Sequence, residues 1–369
     1  MKYKLKEIAI YSNKKIEVNK INQDTYISTE NMLPNKAGVV KATKLPNQSK
    51  TNFFENKNIL ISNIRPYFKK IWFANFNGGC SNDVLNIKVK DETKVLPKYL
   101  YYNLLQDNFF EYIMSGSKGT KMPRGDKEHI MEYMVNIPNI DKQTKIVNIL
   151  DKINSKIELN NQINDNLQKI IKEYYYHIIN NEKEYSLAEF MNYKGGSQPP
   201  AKKFEYEKNE NNIRFVQIRD FDTDSYICYI PISNKNKLCK KNDILIARYG
   251  ASLGRICYGL DGAYNVALAK VIPQKEEYRE MLRVILESAE FYNYINAVGQ
   301  RSAQSGFNVG DIQGFKIKIP KEDNLEKFNK LAKECINKRL LIKEENKILE
   351  QLRYILLPKL MNGEIDMKI

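Results

Sequence analysis

Between residues 137 and 175 apolar side chains recur at alternating steps of three and four: Ile146, Leu150, Ile153, Ile157, Leu167, Ile171 and Tyr174. That spacing is the seam of a coiled-coil helix. Between Ile157 and Leu167 the seam is held by Asn160 and Asn164, with Leu159 and Ile163 beside it, so the stripe either drifts or carries two polar layers. A buried Asn in such a seam fixes register at a cost in stability. Pro138, followed by Asp141, reads as a stop and an N-cap. The expected helix runs from about 141 to about 180 and is roughly 60 Å long.

The same pattern returns. "VNIPNIDKQTKIVNILDKI" laid over "IKIPKEDNLEKFNKLAKEC" brings Pro138 onto Pro320, Asn164 onto Asn346 and Leu167 onto Leu349, an offset of 182. Upstream, "NKNILISNIRPYFKKIWF" (56–73) matches "KNDILIARYGASLGRICY" (241–258) as a strand, a turn bearing Arg and Tyr, and a second strand. "KYLYYNLLQDNFFEYIM" (98–114) and "EYREMLRVILESAEFYNYI" (277–295) read as corresponding helical stretches. The loops 115–127 and 298–311 follow in corresponding places, both rich in Gly, Ser and basic or amide side chains. A repeat of this length is a duplicated domain plus helix. Each half is therefore expected to be a mostly β region with some helix, ended by "IP" and a long helix. The predicted class is α+β, with the two long helices able to satisfy their seams against each other. If they run antiparallel, the two globular domains stand at opposite ends of a helical spacer.

Composition adds bounds. A chain of 369 residues, 42% apolar and 28% charged, holds two globular domains with cores of their own. No run of eighteen apolar residues occurs, and the first residues, "MKYKLKEIAIYSNKK", lack both an apolar h-region and a small-residue cleavage site, so no membrane partner and a cytoplasmic location are expected. Cys80, Cys228, Cys239, Cys257 and Cys335 show no C-x-x-C spacing and read as reduced thiols. His129 and His177 have no ligand-spaced partners and read as surface or packing residues.

Net charge is +15, which favours a nucleic-acid type of partner. Residues 141–182 carry six basic and six acidic side chains, and 321–357 carry nine and seven, so nearly all the excess lies outside the helices. A bound polyanion would be held by the globular parts.

No catalytic centre is legible. "SGSKGTK" lacks the spacing of a phosphate loop, and the glycines of "GASLGR" (250–255) sit in a turn between strands without a β-α-β context. There is no N-P-P-Y or D-P-P-Y motif of an amino-methyltransferase and no P-D…(D/E)-x-K cluster of a nuclease. The pairs Glu276 with Glu277 and Glu344 with Glu345 lie in charged, helix-like stretches and read as solvated faces.

These residues carry a likeness. The "IP…Q…I" start at Ile137, Pro138, Gln143 and Ile146, the segment "KIELNNQINDNLQKI" (156–170) and the ending "LLPKLMNGEI" (356–365) resemble the specificity subunits of type I restriction-modification systems. "GGSQPP" (195–200), "RFVQIRDF" (214–221) and "KNDILIARYGASLGR" (241–255) are similar to the second recognition domain of that family. Two departures stand out: the second helix lacks a Gln at the place of Gln143, and the first domain lacks a clear "GG-S/T-x-P" opening.

The resemblance implies target-recognition domains at 1–140 and 183–320, a spacer and docking helix at 141–182, and a C-terminal helix and tail at 321–369. It implies a non-catalytic subunit that reads one half of a bipartite, asymmetric target in double-stranded DNA with each domain. It also implies two modification subunits, adenine methyltransferases that themselves hold S-adenosylmethionine, and optionally a motor-nuclease subunit. The chain would need no cofactor and no metal of its own. A helical scaffold with two protein-binding modules, or a stand-alone DNA-modifying enzyme, are the competing classes.

Base readout needs Arg, Lys, Asn or Gln at base edges, while phosphate contacts only position the protein. The loop residues that fit are Arg65, Tyr67, Lys69, Lys118, Lys121 and Arg124 in the first half, and Gln198, Arg219, Arg248, Tyr249, Arg301 and Gln304 in the second. Base contact, phosphate contact and solvated surface stay open for each.

Overall fold

The computed structural model describes residues 1–119, 121–179, 183–299 and 306–365. Arg301 and Gln304 lie outside the described residues. The chain divides into two compact units, Met1–Leu159 with Asn346–Ile369, and Asn160–Glu345.

Unit 1 runs β1 (Lys2–Lys4), α1 (Leu5–Ile8), β2 (Ala9–Tyr11), β3 (Lys15–Glu17), β4 (Tyr26–Ile27), β5 (Lys50–Phe54), β6 (Ile59–Ser62), β7 (Ile71–Phe73), β8 (Gly78–Cys80), β9 (Val84–Val89), α2 (Pro97–Leu104), α3 (Asp107–Ser115), α4 (Lys127–Met131), β10 (Met134–Asn136) and the first half of α5 (Ile140–Ile178). Strand β6, "ILIS", is buried along its whole length, as an uninterrupted apolar run in a sheet covered on both faces should be. It sits inside an antiparallel sheet of order β2-β9-β6-β7. Helices α2 and α3 cover that sheet through Tyr99, Leu100, Phe109 and Phe110, which share its core. A second sheet has the order β3-β5-β8-β4.

Unit 2 repeats the plan with β11 (Tyr185–Ser186), β12 (Met191–Gly195), β13 (Asn212–Val216), β14 (Tyr229–Pro231), β15 (Leu238–Cys239), β16 (Leu245–Ala247), β17 (Ile256–Cys257), β18 (Gly262–Tyr264), β19 (Leu268–Pro273), α6 (Arg279–Leu286), α7 (Ala289–Gly299), α8 (Val309–Gly314), β20 (Lys316–Ile317) and the first half of α9 (Glu322–Asn362). Its first sheet, β12-β19-β16-β17, matches unit 1 strand for strand. The second sheet, β14-β13-β18-β15, does not. In both, a central strand (β8 or β18) takes one parallel neighbour (β4 or β13) and one antiparallel neighbour (β5 or β15). The fourth strand then joins the antiparallel neighbour in unit 1 and the parallel one in unit 2. The added strand therefore lies on opposite edges of the two sheets.

The long helix α5 begins one residue before the expected start. Its cap is Asn139, whose Oδ1 accepts from Lys142 N at 2.9 Å, so Asp141 is not the N-cap but a first-turn residue favourable to the helix dipole. Helix α9 starts at Glu322, 182 residues after Ile140. Gln143 is fully buried: its Nε2 donates to Lys94 O and Pro138 O, each at 2.8 Å, and its Oε1 accepts from Leu96 N at 2.9 Å. The amide thus ties the helix start to the segment leading into α2. Its counterpart Leu325 is buried in an apolar core instead.

Within each unit the long helices pack antiparallel. In unit 1, Ile146 and Leu150 share a core with Leu357, Leu360 and Met361, and Arg353 donates to Asn154 at 2.7 Å. In unit 2, Asn160 Nδ2 donates to Glu345 at 2.8 Å, Arg339 to Gln168 at 3.1 Å, and Tyr175 meets Phe328 at 5.7 Å. Asn160 is therefore a satisfied polar layer, while Asn164 Oδ1 has no hydrogen-bond partner among the described residues.

Two expectations need correction. The stretches 98–114 and 277–295 each form two helices, broken after Leu104 and after Leu286. At the second break, Ser288 Oγ accepts from Phe291 N at 3.1 Å and starts a new helix. The segment 298–311 is not all loop, because α7 runs to Gly299 and α8 begins at Val309.

Candidate nucleic-acid interface

In unit 1 the turn between β6 and β7 and the segment following α3 are joined by backbone. Arg65 N donates to Pro123 O at 2.8 Å and Gly125 N to Asn63 O at 3.2 Å, while Lys118 and Arg124 exchange two bonds of 2.9 Å. This brings Arg65, Lys118 and Arg124 to one surface, with Tyr67 and Phe68 exposed beside them and their rings 4.7 Å apart. Lys121 is exposed in the same hairpin.

Most of these cations already have a carboxylate. Lys69 pairs with Asp107 at 2.8 Å, and Lys36 reaches the same carboxylate at 2.7 Å. Arg124 pairs with Asp83 at 3.3 Å and Lys118 with Asp126 at 2.7 Å. Lys118 and the helix N–H groups of His129 and Glu128 pull the Asp126 carboxyl down to about 2. Asp126 thereby caps α4 and anchors the loop at once. For Lys69 the arrangement favours a structural role over an open phosphate contact.

In unit 2 the equivalent turn is bridged to the chain after α7, where Tyr249 pairs with Gly306. Arg248 lies over the rings of Tyr249 and Tyr193, at 4.9 and 5.8 Å, and its Nε is buried without a partner among the described residues. The "GG" at the end of β12 permits this closeness. A Cβ on Gly196 would fall 2.1 Å from Asn265 O, and one on Gly195 3.1 Å from Arg248 Nη1. Asn265 Nδ2 also donates to Gln198 at 2.6 Å, so Gln198, Arg248 and Tyr249 gather around the segment 265–268. Arg219 stands on a separate turn, Ile218–Phe221, over the exposed ring of Tyr226 at 5.1 Å.

Sequence reasoning missed Tyr193, which strand pairing far along the chain brings under Arg248, and Tyr226, which the local turn after Arg219 brings under its guanidinium. It also missed Lys36 and Asp107, for which no local signal exists. His129 stacks on Tyr112 at 4.2 Å, a packing role. The five cysteines are buried free thiols. Glu276 and Glu277 pair with Arg279 and Lys275, and Glu344 with Lys241, as charged faces do. Among the described residues no three His, Cys, Asp or Glu side chains come together as a metal site requires, and no helix is long and apolar enough to cross a membrane.

The structure defines a duplicated α+β protein in which a turn with basic and aromatic side chains recurs once in each unit. The chain is similar to the type I restriction-modification specificity subunits. The family described as type I restriction modification DNA specificity domain matches residues 1–169. The chain is 28% identical to the type I restriction enzyme HindI specificity subunit of Haemophilus influenzae, over 46% of this chain and 38% of that one. It is 23% identical to the MjaIX specificity subunit of Methanocaldococcus jannaschii, over 76% of this chain and 71% of that one. A crystal structure of the type I restriction-modification S subunit from M. genitalium shares the fold, with a TM-score of 0.64 at 18% identity, covering 100% of this chain and 96% of that one.

Proposed function

We propose that the chain is the DNA-reading subunit of a type I restriction-modification complex, working in the cytoplasm. Each unit reads one half of a bipartite, asymmetric target, and the long helices set the gap between the halves. The observation that carries this is the recurrence, once in each unit, of one turn joined by backbone to the segment after the helical pair and bearing Arg and Tyr. Repetition of the same kind of surface is what a two-part target demands.

The chain recruits two adenine methyltransferase subunits, which supply S-adenosylmethionine, and can add a motor-nuclease subunit. Apolar side chains on the outer faces of the helices favour protein partners there. On α9, Ile348, Leu352 and Ile355 are 65%, 41% and 52% exposed, and on α5 Leu159 and Ile170 are 52% and 46% exposed. A near-balanced charge suits the same role.

The division of labour is tested by methyl transfer to duplex DNA. The purified chain with S-adenosylmethionine alone should transfer nothing, and activity should appear on adding the cognate methyltransferase subunit. Binding of duplex by the joint complex should weaken steeply with salt, as release of counterions requires. Methylation by the chain alone would refute the assignment.

A further inference from the structure

Laid over each other as 56–73 on 241–258, the two reading turns agree in their strands: Leu60 pairs with Trp72 in unit 1, and Leu245 with Cys257 in unit 2. Both turns need a left-handed residue at the same two places. Unit 2 fills them with Gly250 (φ +67°) and Gly254 (φ +80°). Unit 1 fills them with Arg65 (φ +49°) and Lys69 (φ +51°). Glycine adopts this conformation freely, whereas a side chain is strained by it. Pro66 restricts the residue before it still further.

The strain at Lys69 has an internal compensation. Its Nζ pairs with Asp107, and its carbonyl accepts from Lys36 N at 3.0 Å. The strain at Arg65 has none from its side chain. Among the described residues no carboxylate or acceptor meets its guanidinium, and its Nε is buried and unpartnered. Its neighbours Lys69, Lys118 and Arg124 each have a carboxylate. The exposed Tyr67 and Phe68 flank it. A strained residue that the fold could replace by glycine, and that gains nothing from the fold, is held for something outside it.

We propose that Arg65 is the specificity-determining side chain of unit 1, its planar guanidinium donating to N7 and O6 of a guanine in the major groove. This rests on the DNA-reading function above. Arginine suits the task because its fork matches two acceptors on one base edge, which a lysine ammonium cannot do. Unit 2, with glycine at that place, reads instead from Arg248, two positions earlier in the turn.

The test uses the full chain with its methyltransferase subunit, comparing Arg65→Gly and Arg65→Lys with the parent. Thermal melting and binding are measured on the cognate duplex and on duplexes carrying single base-pair changes in each half. Arg65→Gly is expected to keep or raise Tm while discrimination at one position of one half-site falls about 5- to 150-fold and the other half is untouched. Arg65→Lys is expected to keep affinity for unrelated duplex and to lose most of that discrimination. A lowered Tm for Arg65→Gly would overturn the strain argument. Unchanged discrimination, or an equal loss on every duplex, would overturn the base contact, the second outcome assigning Arg65 to a phosphate. If the parent complex itself shows no preference among duplexes, the DNA-reading function fails before Arg65 is in question.

Discussion

The starts of the two long helices and the turns after β6 and β16 both recur once per unit, yet they differ between the units in different ways. At the helix starts, Ile146 and Phe328 occupy the same place and both are fully buried, while Gln143 and Leu325 occupy another and are both buried by different means. The role is kept and the chemistry exchanged. At the turns, backbone conformation is kept, left-handed at the same two positions, while the side chains on show are different. The contrast is physical: a packed position can change only if its surroundings repack around it, whereas an exposed turn can change its side chains at little cost to the fold.

The broadest test of that contrast acts on the scaffold alone. Inserting one heptad into α5 near Asn161 and another into α9 near Glu345, where Asn160 and Glu345 meet, preserves the antiparallel seam. It should lengthen both helices by about 10 Å. On duplex DNA at about 3.4 Å per base pair, the gap in the methylated target should grow by about three base pairs with both halves unchanged. An unchanged gap, read by sequencing methylated adenines, would mean that the helices do not set it. A single-helix insertion would shift one half of the seam against the other, so the pairing calls for matched insertions.

The two glycines before Ser197 give the next contrast. Gly196→Ala places a Cβ against the Asn265 carbonyl, which the backbone must move to admit, and should cost about 3 kcal/mol in a denaturant melt. Gly195→Ala meets only the mobile end of Arg248 and should hardly change stability, while weakening discrimination in one half-site. Equal stability loss from both would show that Arg248 is part of the core and not of the reading surface.

At the helix starts the exchange should not be reversible in isolation. Gln143→Leu leaves the Leu96 N–H and two carbonyls without partners, and Leu325→Gln buries an amide where none are offered. Each should cost about 1–3 kcal/mol by chemical denaturation, with no change in the bases recognised. A shift in target sequence would contradict the assignment of these residues to the scaffold.

Much of this scaffold was legible in the sequence, because periodicity and repetition are local or self-referring signals. The seam from Ile146 to Tyr174 and the match of Pro138 to Pro320 place both helices to within about a residue or two. The strand, turn and strand at 56–73 and at 241–258 follow from apolar runs on either side of Arg and Tyr. Other features depend on which side chain the local geometry places, or on partners distant in sequence. Asn139 wins the cap over Asp141 because its side chain is the one placed to meet Lys142 N. The fourth strand of each second sheet chooses its edge through long-range pairing, Lys15 with Asn52 in one unit and Ile213 with Ile230 in the other. The neutralisation of Lys69 by Asp107 likewise could not be read from either residue's surroundings.

The claim at the centre is that each unit reads its own half of one target. Sequencing of methylated adenines from cells carrying this chain and its methyltransferase, beside cells carrying the Arg248→Ala, Tyr249→Ala double variant, tests it most directly. The account predicts a bipartite, asymmetric motif for the parent, and for the variant a motif with one half relaxed, by about 1–3 kcal/mol per lost base contact, and the other half intact. Relaxation of both halves together, or a parent motif without two separate halves, would contradict it.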